Sequence, residues 1–376
     1  MQQQRIESLD GLRFLAAMGV LWIHSWTFHH NPRFFIGPVD VANFFAIGVN
    51  GVDLFFVISG FCMYYFYASR TNFSYVDMWR FLVRRWIRLS PAFYVASLIY
   101  ILVDKYVYHY NYNLVMNMVH SVLYLDHVLG NYFTASHFWT LTVEWQFYFV
   151  IPFILIWQNK AALFKKCFAT IFGAVFLIAV LSVLILKSDG DYLTGTFVFR
   201  GIEFGFGVLA ARLFRQTNNF IKNRILWFPL FVLIVYSGRV LVSESVLNLS
   251  RSYYNLFKLS GFMLMSAGFA GVLYMSLTST AKLKAFLGNK LFKNIGRISY
   301  SFYLLHALIY PVIGGWVVIY LPALTGFAAP LATTLISAVV LYPIALLSYT
   351  LLERPFLKSG TRLVNKEITY SKPPNH

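Results

Sequence analysis

Residues 9–26, LDGLRFLAAMGVLWIHSW, place two ionisable side chains on an otherwise apolar segment. Arg13 and His24 are eleven positions apart, about three turns of an α-helix, so both project from one face about 16 Å apart along the axis. An ionisable group inside a membrane-spanning helix is costly and is read by default as functional. The stretch therefore predicts a spanning helix with a cation near one membrane surface and an imidazole toward the other.

The composition of the whole chain is that of a polytopic membrane protein. Of its 376 residues, 59% are hydrophobic and only 12% are charged, and the mean hydropathy is +0.62. Such a balance does not fit a soluble globular chain. The first apolar run lacks the small-residue cleavage site of a signal peptide and leads into further spans, so it is expected to be a mature helix.

Apolar runs of roughly 17 to 25 residues predict the individual spans. The expected fold is all-α, with one membrane domain over residues 1–357 and a poorly ordered cytoplasmic tail over residues 358–376. The segment 114–125 is short enough to be interfacial or re-entrant, and if it spanned, every later orientation would invert. Ten helices are predicted, at residues 10–29, 44–67, 89–107, 138–157, 167–186, 196–213, 225–242, 257–278, 298–319 and 329–352.

The basic residues predict the orientation of these helices. With the N-terminus inside, 24 of the 31 Lys and Arg residues fall on the inner side, so both termini are expected in the cytoplasm. This bias and anionic lipid account for the net charge of +17, and no nucleic-acid partner is expected. Cys62 and Cys167 form neither a disulfide framework nor a zinc spacing, and no metal is expected.

Seven sequence blocks, taken in order, resemble the acyltransferase family 3 proteins, integral membrane enzymes that O-acylate cell-surface polysaccharides. The blocks are LDGLR at 9–13 with His24 downstream, GVDLFFVISGF at 51–61, RRWIRLSP at 84–91, FWTLTVEWQFY at 138–148, RGIEFGFG at 200–207, SYSFYLLH at 299–306 and ERP at 353–355. Together they cover nearly the whole chain.

The resemblance implies a reaction and its partners. An acyl group, acetyl by the family's habits, would pass from cytoplasmic acyl-CoA to a hydroxyl of a glycan or a lipid-linked saccharide at the outer face of a bacterial inner membrane. Membrane lipids would surround the protein, and a homo-oligomer is compatible with the sequence. Some relatives carry an appended hydrolase-like domain. This chain stops about 20 residues after its last predicted helix and is expected to act alone.

Residue chemistry selects His24 and Glu144 as the catalytic candidates. A sugar hydroxyl is a poor nucleophile, so its attack on a thioester needs a base with a pKa near neutrality. His24 lies in the outer half of its predicted helix and is that base, unless it is a core histidine bonded to a neighbouring helix. Glu144, flanked by aromatic residues, is expected either to orient His24, to form a structural hydrogen bond or to contact the acceptor.

Four arginines are candidates for binding the anionic part of acyl-CoA. Arg13 lies on the predicted cytoplasmic side, and the cluster of Arg84, Arg85 and Arg88 is expected to begin the third helix from that side. A guanidinium offers a planar fork of donors that suits phosphate groups. The alternative is a role in topology or contact with lipid headgroups.

Other polar residues in the spans are expected to line a tunnel or to pair internally. Asp10 lies three residues before Arg13 and is placed to neutralise it. Asp53 is expected to line the tunnel or to pair with a cation. The other residues expected in the tunnel or substrate set are Ser59, Trp139, Arg200, Glu203, Tyr303 and His306. Of these, Arg200 and Glu203 fit an internal pair better than a catalytic dyad.

One outer loop is long enough to be expected to have a role of its own. The longest predicted outer loop, which includes Asn111, Asn113, Asp126, His127 and Asn131, is expected to cover the sugar site.

A secondary transporter with a proton-relay His and Glu is the alternative function, because buried charges also suit proton relays. No repeat between the two halves of the sequence supports that alternative.

Overall fold

The computed structural model describes residues 6–37, 39–68, 73–110, 113–125, 134–158, 160–186, 195–216, 224–242, 251–278 and 281–357. A short antiparallel hairpin joins β1 (Phe35–Ile36) to β2 (Val39–Asp40). The helices are α1 (Glu7–Phe28), α2 (Ala42–Phe45), α3 (Gly51–Tyr67), α4 (Tyr75–Tyr106), α5 (Leu114–Val122), α6 (Trp139–Ile156), α7 (Ala161–Leu186), α8 (Phe197–Gln216), α9 (Arg224–Val242), α10 (Arg251–Thr278), α11 (Ala281–Leu287), α12 (Lys290–Arg297), α13 (Ser299–Tyr320) and α14 (Ala328–Ser348).

The predicted fold class, an all-α polytopic membrane protein, is confirmed. Each predicted span overlaps one long described helix, and seven helices in the described ranges are long and apolar enough to cross a membrane. α1, α8 and α9 are outside that group of seven, and all three carry ionisable side chains. The number of crossings and the side of the termini stay predictions. The tail 358–376 and the loop residues Asn111, Asp126, His127 and Asn131 lie outside the described residues.

The start of the third predicted helix is wrong by about four turns. α4 begins at Tyr75 rather than near residue 89, because Ser74 caps it: its hydroxyl accepts from the Asp77 N–H at 3.3 Å, and its N–H donates to the Asp77 carboxylate at 3.0 Å. Such a reciprocal capping box satisfies the free N–H groups of a first turn. Arg84, Arg85 and Arg88 consequently lie inside the helix, and their positions follow from its packing.

α5 is too short to span a bilayer. Its nine residues extend about 14 Å at 1.5 Å each, against about 30 Å of hydrocarbon. The polar residues Asn117, His120 and Ser121 face the protein, whereas Val115 and Val119 are exposed. An apolar outer face suits a helix that lies against lipid, in agreement with an interfacial or re-entrant segment.

Close packing between α3 and α8 holds the centre of the bundle. A Cβ at Gly60 would overlap the Phe204 carbonyl oxygen, and a Cβ at Gly207 would overlap the Val57 carbonyl oxygen. Small residues at such crossings let two membrane helices approach backbone to backbone. The approach fixes α3, which carries Asp53, Ser59 and Cys62, against the aromatic core.

Candidate active site

A cavity of about 120 Å³ lies inside the bundle, between α1, α3, α4, α6 and α13. Its lining combines cationic, hydroxyl and carboxylate groups with apolar walls. Six of the predicted site residues are among its lining residues: Arg13, Ser59, Arg85, Arg88, Glu144 and Tyr303. Helices distant in sequence thus bring together residues that the sequence could only propose one by one.

Arg13 enters the cavity from α1. Its Nη1 atom lies 3.5 Å from the Asp10 carboxylate, the pair that their spacing predicted, and Asp10 is buried. Nη2 donates to the Cys62 sulfur at 3.3 Å. Arg13 is therefore held by α1 and α3 together, and Asp10 is the partner that α1 itself supplies.

Arg85 and Arg88 enter from α4, and Arg84 does not. The Arg85 side chain lies near the rings of Tyr67, Phe81 and Tyr148, at 5.9, 5.5 and 5.9 Å. Arg84 lies 5.5 Å from the Tyr67 ring and is outside the cavity lining. The Nε atoms of Arg85 and Arg88 are buried with no hydrogen-bond partner among the described residues. These two arginines are thus the α4 cations placed to meet an anionic ligand.

Glu144 is anchored at the α6 wall of the cavity. Its Oε1 atom accepts from the Ser59 hydroxyl at 2.9 Å and from the Tyr148 hydroxyl at 2.5 Å. Both bonds use the same oxygen, which leaves Oε2 for a ligand in the cavity. No hydrogen bond joins Glu144 to His24 in the described part of the chain, so Glu144 has the structural bonds that were one of its predicted roles.

Tyr303 forms the boundary between the cavity and a group of histidines. Its hydroxyl is 2.8 Å from the Thr140 hydroxyl and donates to the His137 carbonyl oxygen at 2.9 Å. Its ring centroid lies 5.4 Å from those of both His137 and His306. The histidine group therefore packs against a residue of the cavity wall.

His24 belongs to this histidine group. Its ring centroid lies 5.1 Å from that of His306, and it stacks on Tyr310 at 5.5 Å. None of the described residues hydrogen-bonds to its ring nitrogens, and the side chain is only partly buried. With no hydrogen-bond partner among the described residues and a partly exposed side chain, His24 is free to bind a hydroxyl group.

Asp53, Arg200 and Glu203 form a separate ionic cluster outside the cavity lining. Arg200 Nη1 lies 3.0 Å from Asp53 and 3.0 Å from Glu203, and Asn50 donates to Asp53 at 3.0 Å. The guanidinium also lies 5.2 Å from the Trp139 ring. The predicted internal pair of Arg200 and Glu203 is thus formed. Asp53 joins it: of the two roles predicted for Asp53, lining the tunnel or pairing with a cation, the structure has the pairing with a cation.

Sequence reasoning missed several residues of the site. Tyr148 follows Glu144 by one helical turn, and Cys62 follows Ser59 by three residues, so helical spacing could have indicated both. His137 precedes the fourth predicted span by one position. No local signal showed that it would lie against a ring from α13.

The fold and site define a polytopic helical membrane protein with an internal cationic cavity and an adjoining group of histidines. The chain belongs to the acyltransferase family 3, described as an acyltransferase domain, whose sequence profile matches residues 6–348. The expected enzyme class, an acyltransferase, is thereby confirmed at the level of the family.

Several relatives are similar over most of this chain. It is 25% identical over 405 aligned residues to a putative peptidoglycan O-acetyltransferase YrhL of Bacillus subtilis, covering 96% of this chain and 56% of that protein. It is 23% identical over 394 aligned residues to the O-acetyltransferase OatA of Staphylococcus aureus, and the alignment covers 94% of this chain and 58% of that protein. It is 26% identical over 333 aligned residues to a putative acetyltransferase ORF330 of Acidianus two-tailed virus, and the alignment covers 84% of this chain and 86% of that protein.

The chain thus spans little more than half the length of the two bacterial relatives. No solved structure matches it.

Proposed function

We propose that the chain is a membrane O-acyltransferase that moves an acetyl group from acyl-CoA to a hydroxyl of a glycan or lipid-linked saccharide in a bacterial inner membrane. The observation that carries the proposal is the adjacency of two groups: a cavity lined by three arginines, and a histidine group containing His24 that packs against Tyr303 in the cavity wall. His24 would be the general base.

The arginine cavity suits the donor. Arg13, Arg85 and Arg88 supply three permanent positive charges, and planar guanidinium groups bind phosphate oxygens through two parallel bonds. The hydroxyl groups of Ser59 and Thr140 and the apolar walls suit a neutral acyl thioester arm. An anionic head with a neutral arm is the shape and charge of an acyl-CoA.

The histidine group suits the acceptor. A neutral imidazole can take the proton of a sugar hydroxyl while the oxygen attacks the thioester carbonyl. In that step the new C–O bond forms, the C–S bond breaks, and the electron pair leaves on the coenzyme A sulfur. The His24 side chain is partly buried, and among the described residues none hydrogen-bonds to its ring nitrogens, which are therefore available to such a hydroxyl.

The names of the relatives guide the choice of acceptor. The Bacillus relative is named for peptidoglycan O-acetylation, so a peptidoglycan glycan strand is the acceptor probe we propose. Membership of this family favours acyl transfer over solute transport as the function. Release of free coenzyme A thiol distinguishes the two, because only acyl transfer produces it.

The deciding experiment uses the full chain in lipid nanodiscs with radiolabelled acetyl-CoA and solubilised peptidoglycan glycan strands. We expect label on the glycan and an equal amount of free thiol. His24→Ala should abolish both at normal expression and folding. Movement of solute across reconstituted vesicles without thiol release would establish the transporter instead, and full activity of His24→Ala would remove the proposed base.

The donor end is tested with Arg85→Gln and Arg88→Gln. Loss of one charged hydrogen-bonding group should raise the KM for acetyl-CoA about 10- to 100-fold, which corresponds to about 1.5 to 3 kcal/mol. Lys105→Gln, which removes a positive charge from the far end of the same helix, should leave this KM unchanged. A change in acceptor KM alone would contradict the donor-side placement.

A further inference from the structure

His306 is the most enclosed member of the histidine group. It is 1% exposed and lies between two other imidazoles, with its ring centroid 5.1 Å from that of His24 and 4.7 Å from that of His137. The three rings come from α1, α13 and the short turn before α6, so they meet only in the folded bundle.

The hydrogen bond of His306 fixes where its proton sits. Nδ1 lies 2.5 Å from the Tyr303 carbonyl oxygen, which can only accept. Nδ1 therefore carries the hydrogen, and in the neutral ring Nε2 carries the lone pair. That Nε2 atom is buried with no hydrogen-bond partner in the described residues.

A buried acceptor without a partner is unfavourable. Leaving one unsatisfied costs about 1 to 3 kcal/mol, and such groups in folded proteins call for a functional or solvent explanation. His137 does not relieve the cost, because its Nε2 donates to the Leu304 carbonyl oxygen at 3.3 Å. The lone pair of His306 is thus held ready for a proton that the protein itself does not supply.

We propose that His306 is a positioning residue for His24 that holds the transferred proton during the reaction. When His24 takes the proton of the acceptor hydroxyl, the resulting imidazolium passes it to His306 Nε2, directly or across one water. The inference rests on the proposed function, since it needs His24 to act as the base.

The step balances in atoms and charge. The acceptor oxygen loses its proton and gains the acyl carbon, and the coenzyme A sulfur leaves with the electron pair of the C–S bond. The proton held by His306 returns through His24 to that thiolate, so the products are an ester and a free thiol. Between these events the positive charge is shared by two rings.

The surroundings of His306 favour a ring that holds a proton only briefly. The titratable groups that face it are His24 from α1, His137 from the turn before α6, and Tyr303 and Tyr310 on its own helix. On α4, Tyr100 lies behind the site and donates to the Leu304 carbonyl oxygen at 3.0 Å. No carboxylate is among these ring contacts of the described residues, so nothing there would trap the protonated form.

The test replaces His306 with Gln, which retains polarity and much of the volume but cannot take up a proton at neutral pH. In nanodiscs, with acetyl-CoA and peptidoglycan glycan strands, we expect kcat to fall about 10- to 100-fold, at or below the lower end of the range of about 100- to 10,000-fold that is usual for loss of a proton-transfer group. The KM for acetyl-CoA should stay unchanged. External imidazole should restore part of the activity of His306→Gly. The control is His29→Gln, whose ring bonds Thr333 at 2.8 Å outside the group.

The outcomes separate the two proposals. If His24→Ala is inactive while His306→Gln turns over normally, the relay is wrong and the base stands. If His306→Gln raises KM without lowering kcat, His306 is only part of the tunnel wall. Loss of kcat with a lowered melting temperature and no imidazole rescue would show a structural role. If His24→Ala is fully active, the proposed function loses its base and the relay falls with it.

Discussion

The Tyr148 hydroxyl donates to Glu144 Oε1 at 2.5 Å, while its ring centroid lies 5.9 Å from the Arg85 guanidinium. Tyr148 therefore joins the carboxylate at the α6 wall to the cationic end of the cavity. Because Glu144 and Tyr148 are one turn apart on the same helix, their bond is set by local geometry. Ser59, from α3, adds the contact that closes the wall.

Tyr148→Phe should impair transfer without unfolding the protein. The change removes a hydrogen bond to a charged group, worth about 1.5 to 3 kcal/mol, and frees the carboxylate to move. We expect kcat/KM for acetyl transfer to fall at least about tenfold, measured as initial rates of thiol release. Tyr320→Phe, at an exposed tyrosine, is the matched control, and equal rates in both variants would contradict a role for the Tyr148 hydroxyl.

Cys62 should report occupancy of the donor cavity. Its sulfur lines the cavity beside Arg13, whereas Cys167 lies on α7 with its sulfur 3.7 Å from the Phe153 carbonyl oxygen and is not among the cavity-lining residues. Acetyl-CoA, which has no free thiol to consume the reagent, should therefore slow the modification of Cys62 by a small thiol reagent several-fold and leave Cys167 unaffected. Peptide mass spectrometry measures both rates in one sample. Protection of neither cysteine, or of both equally, would place the donor elsewhere.

The fold was largely predictable because each membrane helix must satisfy its own backbone hydrogen bonds. Long apolar runs therefore located the helices without knowledge of their neighbours. The exceptions were helix ends: the capping box at Ser74 and Asp77 starts α4 in a stretch whose composition is too polar to register as a span. Local capping chemistry decided that boundary.

The candidate site was predictable only in part. Spacing on a single helix found the pair of Asp10 and Arg13, because the partners are one turn apart. The meeting of His137 with His306 depends on how the short turn before α6 packs against α13, and no periodicity within either segment encodes that choice. The same holds for Ser59 and Glu144, which are 85 positions apart in sequence.

Arg200→Met should destabilise the protein far more than Glu203→Gln. Without the guanidinium, Asp53 and Glu203, which are 1% and 0% exposed, lose their shared cation. Removing one partner of a buried ion pair costs about 3 to 5 kcal/mol. Glu203→Gln keeps the 3.0 Å pair of Arg200 with Asp53. Thermal melting followed by size-exclusion chromatography in detergent ranks the stability of the two variants. Similar melting temperatures would show that the ionic cluster contributes little to the stability of the protein.

Gly207→Ala should loosen the crossing of α3 and α8 and with it the cavity. The added Cβ would overlap the Val57 carbonyl oxygen, and because that atom is backbone, a whole helix must shift to relieve the overlap. Overpacking of this kind costs about 1 to 3 kcal/mol, so the melting temperature and the affinity for acetyl-CoA should fall together. Gly173→Ala is the control, since a Cβ there meets nothing within 4 Å and alanine favours a helix. If both variants melt alike, the close approach at Gly207 does not hold α3 in place, and the position of Ser59 and Cys62 must depend on other contacts.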